Sequence, residues 1–478
     1  MLQNLSAVIM SKKRIIYFVL FYAALRVFSY FFTPQTPLLA QTAVNTLVSA
    51  GILLLSVYWL LKKDIRGWFL IAAEIILGGG GGYLAVAGIS LRTCLLAVSL
   101  FIYFTQTIIA KKLKSFTDDK NILYLLAAII LWSALAAARG IMNNHDIHLV
   151  IADFIPYLFF LYYFPLRELW AKEDFSSILF EMLTAAVFGG LIFIILTFIG
   201  FSSGIFVLQD SYYHWFRDVA GGKITDLGFN FYRLILNEQL LLVPLLLYFI
   251  HKLIRDREKG FCFLVLALII ILSVNFTRIY YVALAVGLLL LYNKNNWRRW
   301  LMYSAISVLA LFVSFTALHL LSSRGQSLGW ELLGLRLQSI AAPQIEESSL
   351  SRMLLLPKIL EKIKTNPFLG NGLGDTVTVY SPVLKETITT PHFDWGYLEI
   401  IDELGVFGLM LWVALMICLI LSVFRRTNRN SFYFASLFAL LVINTTSPAL
   451  FHVFGVIWLT AIIAQNQPTL LHLFNSEK

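Results

Sequence analysis

Residues 392–424 read HFDWGYLEIIDELGVFGLMLWVALMICLILSVF, a cluster of titratable groups that runs directly into an apolar stretch long enough to cross a bilayer. The stretch predicts a membrane helix with polar groups at its mouth. It closes a polar segment, residues 322–396, in a chain that is otherwise almost continuous hydrocarbon. Of the 478 residues 59% are hydrophobic and 13% charged, and the mean hydropathy is +0.79. That composition excludes a soluble fold and predicts an all-α polytopic integral membrane protein.

Apolar runs recur near 14–32, 38–61, 67–89, 92–110, 121–139, 149–165, 176–200, 232–251, 261–277, 279–293, 300–321, 397–424, 431–447 and 450–466. At about 20 residues per crossing they predict about 14 transmembrane helices. Lys and Arg gather in cytoplasmic connections, and here every even connection is basic. Lys12, Lys13 and Arg14 precede the first run; Lys62, Lys63 and Arg66 follow the second; Lys111, Lys112 and Lys114 the fourth; Arg167 and Lys172 the sixth. Lys252, Arg255, Arg257 and Lys259 follow the eighth, Lys294, Arg298 and Arg299 the tenth, and Arg425, Arg426 and Arg429 the twelfth. Both termini are therefore expected in the cytoplasm, with the two longest loops, 201–231 and 322–396, on the outer face. The expected organisation is residues 1–321 with helices 1–11, a large outer loop over 322–396 with short helices, and 397–478 with the last three helices and a cytoplasmic tail. Topology accounts for the net charge of +10, so no nucleic-acid partner is called for. The first run reads as a retained span, because Thr33-Pro-Gln-Thr-Pro37 offers no clear cleavage site.

Cys94, Cys262 and Cys418 sit inside apolar runs without metal-site or disulfide spacing and read as packing residues. Gly78–Gly82, in the third run, permits either very close helix packing or an unwound segment lining a cavity. In the large loop, Trp330, Leu333, Leu337 and Ile340 recur at helical spacing. Leu350, Met353, Leu354 and Ile363 do so again, with Pro357 as a break.

The candidate chemistry lies on the expected outer face. Arg352 and the turn Asn366-Pro-Phe-Leu-Gly-Asn-Gly-Leu-Gly374 precede His392, with Gly370, Gly372 and Gly374 free to shape the loop and bring backbone N–H groups to an anion. A nucleotide-binding P-loop is excluded, because no Lys-Ser or Lys-Thr follows the glycines. Arg278 sits between two apolar runs, either snorkelling to lipid headgroups or offering a fixed cation to phosphate. Arg217, Lys223 and Arg233 extend that patch or are ordinary loop charges, and Arg233 begins a run that also carries Asn237 and Glu238. Glu399, Asp402 and Glu403 share a helical face, where they complement the helix dipole or serve a site; Glu403 is deep enough to need a partner. His392 and Asp394 are each a general base or a solvated loop residue. Arg26, Glu74, Asp153 and Glu181 are expected to pair with one another inside the membrane.

The order Thr277-Arg278, Ser351-Arg352, Asn366-Pro-x-x-Gly-x-Gly-x-Gly374, Tyr397-Leu398 and Glu403-Leu-Gly-x-x-Gly408 resembles the O-antigen ligase and polymerase superfamily of bacterial envelope enzymes, over about residues 260–425. The resemblance implies a glycosyltransferase of the bacterial inner membrane, acting on the periplasmic face upon glycans linked through pyrophosphate to a polyprenyl carrier, with no metal or other cofactor. It implies that Arg278 and Arg352 hold the pyrophosphate while an acceptor hydroxyl attacks with inversion. Ligases carry a His followed by Asn, Ser or Gln where this chain has Asp394 and Trp395, and His392 lies two residues earlier. The base is thereby divided between His392 and Asp394, and the reading moves from ligase toward a polymerase of repeat units, with a chain-length regulator as a partner. A ligase acting on lipid A core or protein is the alternative within the superfamily, and a lipid-linked oligosaccharide flippase the alternative of another class.

Overall fold

The structure, a computed structural model, describes residues 2–33, 39–110, 120–170, 172–255, 260–342, 347–381, 386–426 and 432–465. Residues 34–37, Lys111, Lys112, Lys114, Arg257, Lys259 and Arg429 lie outside the described residues, as do the side chains of Leu337, Ile340, Ser351, Arg425 and Arg426. The chain is mostly helical. In order, the helices are α1 (Leu2–Phe32), α2 (Leu39–Leu61), α3 (Arg66–Ile76), α4 (Leu91–Ile109), α5 (Lys120–Met142), α6 (Ile147–Leu158), α7 (Tyr163–Trp170), α8 (Glu173–Ser202), α9 (Ser211–Asp218) and α10 (Leu242–Arg255). They continue as α11 (Phe261–Asn275), α12 (Arg278–Leu290), α13 (Trp297–Ser322), α14 (Trp330–Ala341), α15 (Glu347–Thr365), α16 (Gly396–Arg426), α17 (Phe432–Ile443) and α18 (Val453–Gln465). Among the described residues the departures from all-α are three small antiparallel hairpins: β1 (Ala85–Val86) with β2 (Ile89–Ser90), β3 (Lys223–Asp226) with β4 (Tyr232–Ile235), and β5 (Val377–Ser381) with β6 (Glu386–Thr390).

Every apolar run of the sequence contains a helix, and among the described residues nine helical segments are long and apolar enough to cross a membrane. Their outward faces carry exposed hydrocarbon, with Leu47, Phe101, Leu196 and Leu309 each more than half exposed, as lipid contact requires. The chain is a multi-pass membrane protein. Five runs hold only short helices: α3, α11, α12, α17 and α18 have 11, 15, 13, 12 and 13 residues. At 1.5 Å per residue the longest of these spans about 22 Å, short of a hydrocarbon core of about 30 Å. Of the about 14 expected transmembrane helices, nine are long enough to cross by themselves among the described residues, and the other runs hold shorter helices.

The breaks have local causes. The third run is a correction: α3 ends at Ile76, and Gly79 and Gly80 take positive φ (58° and 78°), so the glycines unwind the chain. Arg26 closes the opening, with Nη1 donating to Leu77 O at 3.0 Å and Nη2 paired to Glu238 at 3.2 Å. A Cβ on Gly79 would lie 2.8 Å from both side chains. Arg26 and Glu181 find partners outside the expected set of four, since Arg26 takes Glu238 and Glu181 takes Arg14 at 3.0 Å. Between α11 and α12 the turn is made by Phe276 at φ 45°, and the break between α17 and α18 is bridged by Leu450 N–H donating to Asn444 Oδ1 at 3.0 Å.

The large loop rests on the mouth of α16 through a small core of its own. Leu355, Ile359, Val377 and Phe393 are buried together, with Ile363, Trp395 and Leu398 packed around them. Full burial of such side chains stabilises by about 1.5–3 kcal/mol each. Pro357 does not break α15, which runs through it, and the buried stripe is Leu355 and Ile359 rather than Met353 and Leu354. In α14 the inward residues are Leu332, Arg336 and Ser339, while Trp330 turns outward onto Phe312.

The glycine turn fastens this loop into the bundle. α16 is interrupted at Gly405 (φ 72°, ψ 179°), and Val406 N–H donates to Pro367 O at 2.9 Å instead of to its own helix. In return Asn371 N–H donates to Asp402 O at 2.6 Å and Gly372 N–H to Glu403 O at 3.1 Å. Gly370, Gly372 and Gly374 have φ of 79°, 98° and 75°, and a Cβ on Gly370 would lie 2.4 Å from Glu403 O. The loop also grips α5: Leu373 N–H donates to Ala136 O at 3.1 Å and Asn143 Nδ2 to Asn371 O at 2.7 Å. Gly370→Ala or Gly405→Ala is expected to cost about 3 kcal/mol or more, since each adds strain at positive φ to a backbone clash. Gly334→Ala, with open space around it in α14, should gain about 0.5–1 kcal/mol. Melting of the detergent-solubilised variants checks both, and equal midpoints for all three would remove the constraint.

Candidate functional site

The glycine turn that seats the loop also determines which polar groups meet. Its N–H groups are consumed by the protein: Gly370 N–H goes to Asn366 O at 2.9 Å, Asn371 and Gly372 to α16, Leu373 to α5. The expected anion cradle is thus a backbone staple. The last donor, Gly374 N–H, points between two carboxyl groups, Asp153 Oδ2 at 3.1 Å and Glu403 Oε1 at 3.2 Å. Asp153 comes from α6, Glu403 from α16, and the turn joins them.

One turn nearer the mouth, Glu399 is 2% exposed and uses both oxygens. Oε1 accepts from His392 Nδ1 at 3.2 Å and Oε2 from Phe393 N–H at 3.2 Å. Asp402, 0% exposed, turns the other way and accepts from Asn371 Nδ2 at 2.9 Å. Glu399, Asp402 and Glu403 are all buried, each with a hydrogen-bond partner across the loop, and Glu399 lies in the first turn of α16. Asp394 adopts a left-handed φ of 56° and pairs with Arg352 Nη2 at 3.6 Å, while Trp395 Nε1 donates to Arg352 O at 3.4 Å. Asp tolerates that conformation better than most residues, and such strain gathers at functional sites. The mouth of α16 therefore assembles Arg352, Asp394, His392, Glu399, Glu403 and Asp153.

The remaining sequence candidates lie elsewhere by their contacts. Arg217 is exposed and clamps its neighbour Asp218 at 2.7 Å. Arg233 does not begin a span; it sits in β4, 7% exposed, with Nη2 donating to Thr225 Oγ1 at 3.4 Å. Arg278 opens α12 and donates to Arg336 O at 3.4 Å and to Ser339 Oγ, which ties it to α14. The sequence reading missed Asp153 as a member of the site. Its signal was a lone acid in an apolar run, whose neighbours are more than two hundred residues away in the chain and so could not be read from spacing. Among the described residues no three His, Cys, Asp or Glu side chains group as metal ligands.

The electrostatics of His392 bear on its role. The hydrogen bond to the Glu399 carboxylate, reinforced by the nearby charges of Asp153 and Asp394 and opposed by desolvation, raises its pKa from 6.5 to about 9. That shift favours the imidazolium, a cation and a proton donor, over the free base.

The chain is a multi-pass membrane protein with Arg352, His392 and four carboxyl groups gathered at the mouth of α16. Residues 261–413, about a third of the chain, match the family model described as O-antigen ligase, which supports the O-antigen ligase/polymerase superfamily. The match ends inside α16 and contains Arg278, Arg352, the glycine turn and His392. No curated protein matches the chain.

Because the folded-state pKa of His392 lies above its ordinary value, its pairing with Glu399 supports the mouth fully below about pH 6.5 and is lost as pH rises through about 9. Histidine carbon-13 shifts followed against pH should place the His392 midpoint near 9, and Glu399→Gln should bring it back toward 6.5. The same midpoint in both proteins would remove Glu399 as the cause.

Proposed function

We propose that this chain is a glycosyltransferase of the bacterial inner membrane that polymerises oligosaccharide repeat units carried on polyprenyl pyrophosphate, with its site open to the periplasm. The observation that carries the reading is the pair of cations, Arg352 and the His392 imidazolium, held at the mouth of a membrane helix inside the family-matched region. A diphosphate leaving group on a lipid anchor needs positive charge at that depth. A guanidinium gives it planar, two-pronged contact. Arg278 belongs to the same family-matched segment but is tied to α14, apart from this pair.

In this reading the acceptor hydroxyl oxygen attacks the anomeric carbon. The bond from that carbon to the pyrophosphate oxygen breaks with inversion, its electron pair stays on the pyrophosphate, and the hydroxyl proton passes to a carboxylate of the mouth. The cations stabilise charge that develops on the departing group, an effect worth about 2.7–4 kcal/mol per well-placed donor. Polymerase is preferred because Asp394-Trp395 stands where ligases carry His and a polar neighbour. A chain-length regulator is then an expected partner. The matched family's description as O-antigen ligase favours a second reading, transfer of finished polymer to lipid A core or to protein.

The glycan profile of a deletion strain separates these readings. Single repeat units reaching lipid A without a ladder support the polymerase, full-length polymer stranded on the carrier supports the ligase, and an unchanged profile of both pools overturns the transfer reading. Arg352→Ala, at unchanged protein level by immunoblot, should abolish the ladder; a normal ladder would remove its pyrophosphate role.

A further inference from the structure

We propose that Asp153 of α6, a residue outside the family-matched segment, takes the proton from the attacking acceptor hydroxyl; this rests on the glycosyl-transfer reading above. Each other candidate at the mouth is committed. His392 is tied through Nδ1 to the Glu399 carboxylate at 3.2 Å. Asp394 is held by Arg352. Both oxygens of Glu399 are occupied, and Glu399, Asp402 and Glu403 are all 3% exposed or less.

Asp153 differs in both position and access. It is half-buried, it ends the second turn of a helix whose preceding residues Ile151 and Ala152 face outward, and its Oδ2 is oriented by Gly374 N–H at 3.1 Å. Glu403 lies behind it on the same N–H at 3.2 Å. The arrangement is that of an oriented carboxylate, backed by a second, and facing the imidazolium across the mouth. The charged and titratable groups that reach it are His392 from the loop, Glu399 and Glu403 from α16, and Tyr157 from its own helix. The step balances as an inverting transfer: the acceptor oxygen forms the new glycosidic bond, pyrophosphate leaves with the old bond's electrons, and Asp153 holds the proton until it exchanges with water.

The test uses the purified full chain in nanodiscs with synthetic polyprenyl-pyrophosphate-linked repeat units, reading release of polyprenyl pyrophosphate against pH. No release by the wild-type chain would sink the polymerase reading itself, apart from Asp153. Given wild-type release, Asp153→Asn should lower kcat by about a hundredfold or more with KM changed less than about threefold, and should lose the acid limb of the pH profile. Asp153→Glu, which keeps the carboxylate, should recover a measurable rate with that limb, and it carries the test if Asp153→Asn fails to fold. An Asp153→Asn rate within about threefold of wild type, or a slowed variant that keeps the acid limb, would overturn the assignment.

Discussion

The exchange of backbone hydrogen bonds between the 366–374 turn and the break in α16 at Gly405 is the constraint on which the rest of this structure depends. A helix interrupted inside a membrane leaves donors and acceptors that lipid cannot satisfy, and each costs several kcal/mol if left open. Here the turn supplies Pro367 O and takes Asp402 O and Glu403 O in return. Because partner backbones approach to within 2.6 Å of where a Cβ would stand, glycine is required at Gly370 and at Gly405. The same insertion draws α5 and α6 from the first part of the chain against α16 from the last.

That closure determines the chemistry of the mouth. Once Gly374 N–H is delivered between Asp153 and Glu403, two carboxyl groups from helices distant in sequence share one donor. Glu399, buried on the neighbouring turn, has to be compensated and is, by His392 and the Phe393 N–H. The loop core around Phe393 and Ile359 then presents Arg352 to Asp394. Each cation of the mouth is paired with a carboxylate, His392 with Glu399 and Arg352 with Asp394, while Asp153 and Glu403 meet at the Gly374 N–H.

Much of the architecture was legible in the sequence. The apolar runs each contain a helix, and the polar mouth of α16 is where the charged side chains converge. What hydropathy could not reveal was continuity: Gly78–Gly82 sits in a run as apolar as its neighbours, yet its positive φ values break the helix. The glycines after Asn366 were read as a cradle for an anion because composition shows that N–H groups can approach something, not what they approach. Arg217 and Arg233 carry the right charge, but Asp218 and a β-hairpin take them. Asp153 was passed over as one of several intramembrane charges, since its partners come from the far end of the chain.

The most direct test of a lipid-pyrophosphate site at this mouth is a cryo-EM map of the chain in nanodiscs with a non-transferable carrier-linked glycan. Diphosphate density in hydrogen-bond reach of Arg352 and His392, with the sugar turned toward Asp153, is the predicted result. Diphosphate bound instead beside Arg26 and the Gly78–Gly82 break would contradict it.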